Sequence, residues 1–119
     1  MARILLADDD ASARDLVQRA LAGDGHHVVA THDGAEALEQ LQASGPFDLL
    51  ISDVQMPGVD GIELIEKALA IAPKMRVILM SGFSGELDRA KHLKSKLAGE
   101  ITKPFTLDQV RAAAKAALA

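Results

Sequence analysis

Five short strand-like runs, four of them apolar, alternate strictly with amphipathic stretches along these 119 residues, and that alternation limits the chain to very few folds. The apolar runs are Ile4 to Ala7, Val28 to Ala30, Leu49 to Ile51 and Val77 to Met80, and Glu100 to Thr102 reads as a short fifth strand. Continuous apolar runs of this length suit strands covered on both faces. Between them, Ala13, Leu16, Val17, Ala20 and Leu21 recur at helical steps and stop at Gly23. Asp33 with Glu36 predicts a capping box ahead of Ala37, Leu38 and Leu41, and Gly45-Pro46 breaks that helix. Ile62, Ile65, Ala68, Leu69 and Ala72 predict a third helix ending at Pro73. A polar fourth helix is expected over 85–96, and Thr106 with Gln109 caps an alanine-rich fifth.

Strand and helix in strict alternation predict an α/β fold, a doubly wound parallel sheet with right-handed crossovers. For five strands the common order is 2-1-3-4-5, the flavodoxin-like arrangement, with its crevice at the carboxyl ends of strands one and three. Asp8 and Asp9 follow the first run and Asp53 follows the third. Three carboxylates therefore converge on the topological switch point. At ~4 Å and an effective dielectric of ~20, each pair of like charges costs roughly 4 kcal/mol. Such a cluster is expected to hold a hard divalent cation. Ser81 ends the fourth run and Lys103-Pro104-Phe105 follows the fifth, adding a hydroxyl and an ammonium to the same edge. Carboxylates, hydroxyl and ammonium at consecutive strand ends predict phosphoryl-transfer chemistry.

Composition narrows the function further. The length suits one domain over 1–119, and there is no linker, repeat or low-complexity tract. No apolar run is long enough to cross a membrane, and Met-Ala-Arg leads straight into a strand, so a cytoplasmic protein is expected. Absence of cysteine excludes disulfides and thiolate chemistry. A net charge of −4, with no Tyr or Trp, argues against direct DNA binding. The basic run Arg89, Lys91, His92, Lys94 and Lys96 is expected to be a solvated helix face, with a dock for an acidic partner as the sharper alternative. His26, His27, His32 and His92 show no ligand spacing. Asp10 is expected to cap the first helix, and Asp60 to shape the Pro57-Gly58 loop.

Asp8-Asp9, the stretch Asp53-Val-Gln-Met-Pro-Gly-Val-Asp-Gly61, Ser81-Gly82 and Lys103-Pro104-Phe105 together resemble the receiver domain of two-component response regulators, over the whole chain and in order. The resemblance implies that Asp53 is the phosphoacceptor, taking a phosphoryl group from a phosphohistidine on a sensor histidine kinase or histidine phosphotransfer protein. It implies Mg²⁺ bound by Asp9, Asp53 and the backbone carbonyl of Gln55, with Asp8 acting mostly through water. Lys103 and Ser81 would each meet a phosphoryl oxygen, and the Lys103-Pro104 bond would be cis. Within the family the chain is most similar to the single-domain CpdR group, through Met-Ala-Arg-Ile-Leu-Leu-Ala, Phe47-Asp-Leu-Leu, Gly61-Ile-Glu-Leu and Ser81-Gly-Phe. That similarity implies an adaptor for a cytoplasmic AAA+ protease, switched off by phosphorylation.

The chain departs from the family where an aromatic is usual three residues before the lysine: here stands Glu100, exposed or paired with the basic helix. Switching is then expected to depend on Ser81 and the loop after it. Phe83, two residues past the hydroxyl, is expected to slow self-dephosphorylation. A phosphorelay shuttle is a second possibility within the family. A Mg²⁺-dependent aspartyl phosphatase would need a general acid two residues after the nucleophile, where this chain has Gln55. A flavin site is disfavoured by the acidic first loop.

Overall fold

The computed structural model describes residues 2–82 and 84–119. Strands β1 (Arg3–Ala7), β2 (His27–Thr31), β3 (Leu49–Asp53), β4 (Arg76–Ser81) and β5 (Gly99–Thr102) form one parallel sheet in the order β2-β1-β3-β4-β5. Helices α1 (Ala11–Gly23), α2 (Gly34–Ser44), α3 (Gly61–Ile71) and α4 (Ser84–Arg89) lie in the crossovers, and α5 (Leu107–Leu118) follows the last strand. The predicted order and alternation are those observed.

Strand side chains alternate between two cores. Leu5, Leu50 and Leu79 pack with Ala37, Leu41, Ile65 and Ala68 from α2 and α3. Ile4, Leu6, Ile51, Ile78 and Met80 pack with Val17, Leu21, Val110 and Ala114 from α1 and α5. Every residue of β3 is buried, which explains its unbroken apolar run before Ser52 and Asp53. By contrast β2 is an edge strand, mostly half-buried, and runs one residue further at each end than its apolar trio.

Helix starts follow the capping residues. Asp10 caps α1 through Ser12 N–H at 3.0 Å, as expected. Asp60 caps α3 through Glu63 N–H at 2.9 Å, a firmer role than shaping the preceding loop. Thr106 and Gln109 form the full capping box on α5. The box on α2 is only half made: Asp33 accepts from Glu36 N–H, but the Glu36 carboxylate turns back to His32 N–H at 2.8 Å. Both Lys103-Pro104 and Gly45-Pro46 are cis; only the first was expected.

The polar fourth helix differs from expectation. Instead of one helix over 85–96, the chain makes one and a half turns of α4 and then a 3-10 helix, Lys91–Lys96. Ala90 and Leu93 are buried apolar residues of this segment among those described, and 3-10 pieces of this length are a common way for a short helix to continue. Within the basic run, Arg89 pairs with Asp60 at 2.9 Å and His92 with Glu66 at 3.0 Å, which ties this segment to α3. Lys91, Lys94 and Lys96 are exposed, so the run is largely a solvated face.

Candidate functional site

Register puts the acidic residues together. Ala7 of β1 lies opposite Ser52 of β3, so the next residue of each strand, Asp8 and Asp53, emerges side by side at the carboxyl edge. A carboxylate oxygen from each of Asp8, Asp9 and Asp53 lies within 4.8 Å of the others. Asp8 is fully buried and Asp53 nearly so, while Asp9 faces solvent. Backbone bonds fix the strand ends: Asp8 N–H donates to Thr31 O at 3.2 Å, and Val54 N–H to Met80 O at 2.9 Å. The Asp10 N–H donates to Asp8 Oδ1 at 2.9 Å, and Arg14 clasps the Asp8 carbonyl, also at 2.9 Å.

Lys103 supplies the countercharge. Its Nζ lies 3.1 Å from Asp53 Oδ2 and 3.1 Å from Asp8 Oδ2. The first contact has hydrogen-bond geometry, whereas the second is an ion contact without it, which leaves Asp8 Oδ2 buried and without a hydrogen-bond donor. Lys103 is positioned by its own backbone, whose N–H donates to Ser81 O at 2.7 Å. That same Ser81 ends β4 fully buried, with an Oγ that has no hydrogen-bond partner.

Burial pushes the Asp53 carboxyl up from 3.8 to about 6; the Lys103 hydrogen bond opposes this and the neighbouring Asp8 charge adds to it. Burial alone would lower the Lys103 ammonium, but the Asp53 hydrogen bond and the Asp8 and Asp53 charges outweigh it, so its pKa is raised. One ammonium thus faces more negative charge than it can balance.

A donor set of three carboxylates, two of them buried and one with an orphaned oxygen, fits a hard divalent cation that takes oxygen ligands and keeps some water. Nothing in it suits a soft metal. Gln55, exposed, lies two residues past β3 on the same rim. Gly61 holds that loop in place: its N–H donates to Val54 O at 2.9 Å, and a Cβ there would collide with the Asp53 carbonyl oxygen. Only glycine permits α3 to start that close to Asp53.

The expected site residues Asp8, Asp9, Asp53, Ser81 and Lys103 all meet at this edge. A larger cleft of about 650 Å³ lies at the opposite end of the sheet, beside Pro73, Met75 and Leu97, away from these groups. Glu100 on β5 is exposed, and among the described residues it has no ion-pair partner, although it lines a small cleft of about 210 Å³ with Lys91 and Lys94. Phe83 lies outside the described residues.

One buried charge was missed. Glu86 of α4 is 3% exposed and accepts a hydrogen bond from Gly82 N–H. It stands four residues before Ala90 and seven before Leu93, the helical spacing of a single inward face. That spacing was the available signal.

Comparison with known proteins agrees with the geometry. The family described as response regulator receiver domain matches residues 4–115. The chain is 39% identical over 107 residues to the response regulator receiver protein CpdR of Brucella abortus, covering 90% of this chain and 88% of that one. It is 32% identical to the response regulator MprA of Mycobacterium ulcerans, of which it spans only half. The crystal structure of response regulator TrrA from Thermotoga maritima, in complex with Mg²⁺-BeF, superposes with a TM-score of 0.84 at 29% identity, over 97% of each chain. With the family matching residues 4–115 and a 39% identical relative covered over most of its length, the chain belongs to the response regulator receiver domain family of two-component signalling.

Proposed function

We propose that Asp53 accepts a phosphoryl group from a phosphohistidine and that the modified protein differs in affinity for a downstream protein. The observation that carries this is the pairing of a buried Asp53 with Lys103 at 3.1 Å beside two buried oxygens that lack donors, Asp8 Oδ2 and Ser81 Oγ. In the transfer, an Asp53 Oδ attacks phosphorus, a P–O bond forms and the P–N bond to the donor imidazole breaks. The released imidazole nitrogen takes a proton from water. Lys103 meets an equatorial oxygen as a point charge, and the Ser81 hydroxyl donates to another.

Mg²⁺, held by Asp8, Asp9, Asp53 and the Gln55 carbonyl, would neutralise charge on the phosphoryl oxygens and relieve the carboxylate repulsion. Asp53 must be ionised to attack. With its carboxyl raised to about 6, it is mostly ionised at neutral pH even before a cation lowers it further. Turnover of an external substrate is not part of this function, because Gln55 offers no general acid where an aspartyl phosphatase would need one.

Downstream, the similarity to CpdR, 39% identical over 88% of that protein, favours an adaptor that acts by contact. We assign it to the control of regulated proteolysis by an AAA+ protease, through α4, β5 and α5, without direct DNA contact. A relay shuttle is the second reading. Capture of partners by wild type and by Asp53→Ala, with and without phosphodonor, separates the two. An adaptor retains its partner in Asp53→Ala, whereas a relay loses onward transfer to a histidine phosphotransfer protein.

A further inference from the structure

Among the described residues, Glu86 is the one buried carboxylate that the chemistry above leaves unused. It is 3% exposed, and among the described residues no lysine, arginine or histidine pairs with it. Holding a carboxylate in such a place is costly unless donors face it. Its donor is the backbone N–H of Gly82, the residue that follows Ser81 at the end of β4.

That N–H is not remote from the site. Gly82 and Lys103 line the same cleft, with Asp10, Ser12 and Phe105, and the Lys103 N–H is anchored on the Ser81 carbonyl. Next to Gly82, the Ser81 hydroxyl is buried and unengaged. Two adjacent donors at the end of β4 therefore differ in state: the side-chain O–H is free, and the backbone N–H is held by an internal carboxylate. A phosphoryl group on Asp53 would bring about two negative charges and three strong acceptor oxygens to this rim. It would compete for the same donors and repel Glu86.

We propose that Glu86 is a positioning residue that acts as an internal stand-in for the phosphoryl group: its carboxylate holds the Gly82 N–H in the unphosphorylated protein, and a phosphoryl group on Asp53 takes that donor and expels it. The proposal rests on Asp53 being the phosphoacceptor. Expulsion of a carboxylate from its buried position on α4 links the chemistry to the α4 surface through Ser81, Gly82 and Glu86, with no aromatic at position 100.

Beryllofluoride with saturating Mg²⁺ serves as the probe, titrated into the full chain and read through the Gly82 amide resonance in ¹⁵N-labelled protein. In wild type the Gly82 amide should shift on addition of the probe. Glu86→Gln keeps the shape and an acceptor oxygen but removes the charge, and its midpoint should fall about fivefold, the scale of one like-charge contact in partly wet surroundings. Glu86→Ala frees the donor altogether and should fall at least as far; should it unfold, Glu86→Gln carries the test alone. Equal midpoints for wild type and Glu86→Gln, or a Gly82 amide that does not respond, would overturn the latch while leaving Asp53 as acceptor. Failure of wild type to bind the probe or to gain a phosphoryl group would overturn both.

Discussion

Replacing Asp53 by Asn should stabilise the metal-free protein at neutral pH, because the native fold holds that carboxylate where it is uncomfortable. Burial raises its pKa from 3.8 to about 6. A rise of about two pH units is worth roughly 3 kcal/mol, an upper figure since Lys103 loses half of its ion pair in the variant. The proton is bound by the folded form and released by the unfolded chain between these values. Stability of wild type therefore falls as pH rises from about 4 to 6, and the full penalty is present above 6. The neutral amide of Asp53→Asn carries no such penalty. Thermal unfolding followed by circular dichroism should show equal stability near pH 3.5 and a gap that opens to about 1–3 kcal/mol at pH 7, roughly 4–12 °C for a chain of this length. Circular dichroism is the right probe because the chain has no Trp or Tyr. Mg²⁺ should close the gap by stabilising wild type alone, by ~2.7 kcal/mol at a hundredfold excess over its Kd. A gap that stays constant with pH, or an Asp53→Asn protein that is the less stable at pH 7, would refute the reasoning.

Other substitutions probe the remaining groups. Ser81→Ala removes a buried hydroxyl that bonds to nothing, so unfolding free energy should change by less than about 1 kcal/mol while phosphoryl uptake slows; a large loss of stability in urea would show that the hydroxyl is structurally engaged. Gly61→Ala drives a methyl into Asp53 O and should cost about 1–3 kcal/mol or more, with weakened Mg²⁺ binding by calorimetry. Glu100→Ala, at an exposed position, should leave phosphorylation intact and alter partner binding; unchanged binding in both phosphorylation states would remove Glu100 from the switching surface.

The sheet was legible because its central strands β1, β3 and β4 are buried on both faces, which writes them as continuous apolar runs. The switch-point rule points to the carboxyl edge of β1 and β3, and Asp8, Asp9, Asp53, Ser81 and Lys103 lie together there. Less visible were features governed by tertiary contact rather than by periodicity. The division of the fourth helix into α4 and a 3-10 helix is a matter of tertiary packing, with Ala90 and Leu93 buried in the core beside α3. The Arg89–Asp60 and His92–Glu66 pairs are long-range and exposed, so local charge pattern reads simply as a basic face. Glu86 escaped because polar residues are assumed to point outward, and its burial shows only when it is placed on the wheel with Ala90 and Leu93. The turn of the Glu36 side chain to His32 rather than Asp33 is a choice between adjacent N–H donors that spacing does not decide.

Intact-mass analysis after incubation with a small phosphodonor, followed by peptide mapping, is the most direct test. With Mg²⁺ present the protein should gain ~80 Da on the peptide that contains Asp53, the mass of one phosphoryl group. The gain should vanish in Asp53→Asn and on chelation of the metal. No gain in wild type, or a gain that maps to another residue, would contradict the assignment of this acidic edge as a phosphoryl-accepting site.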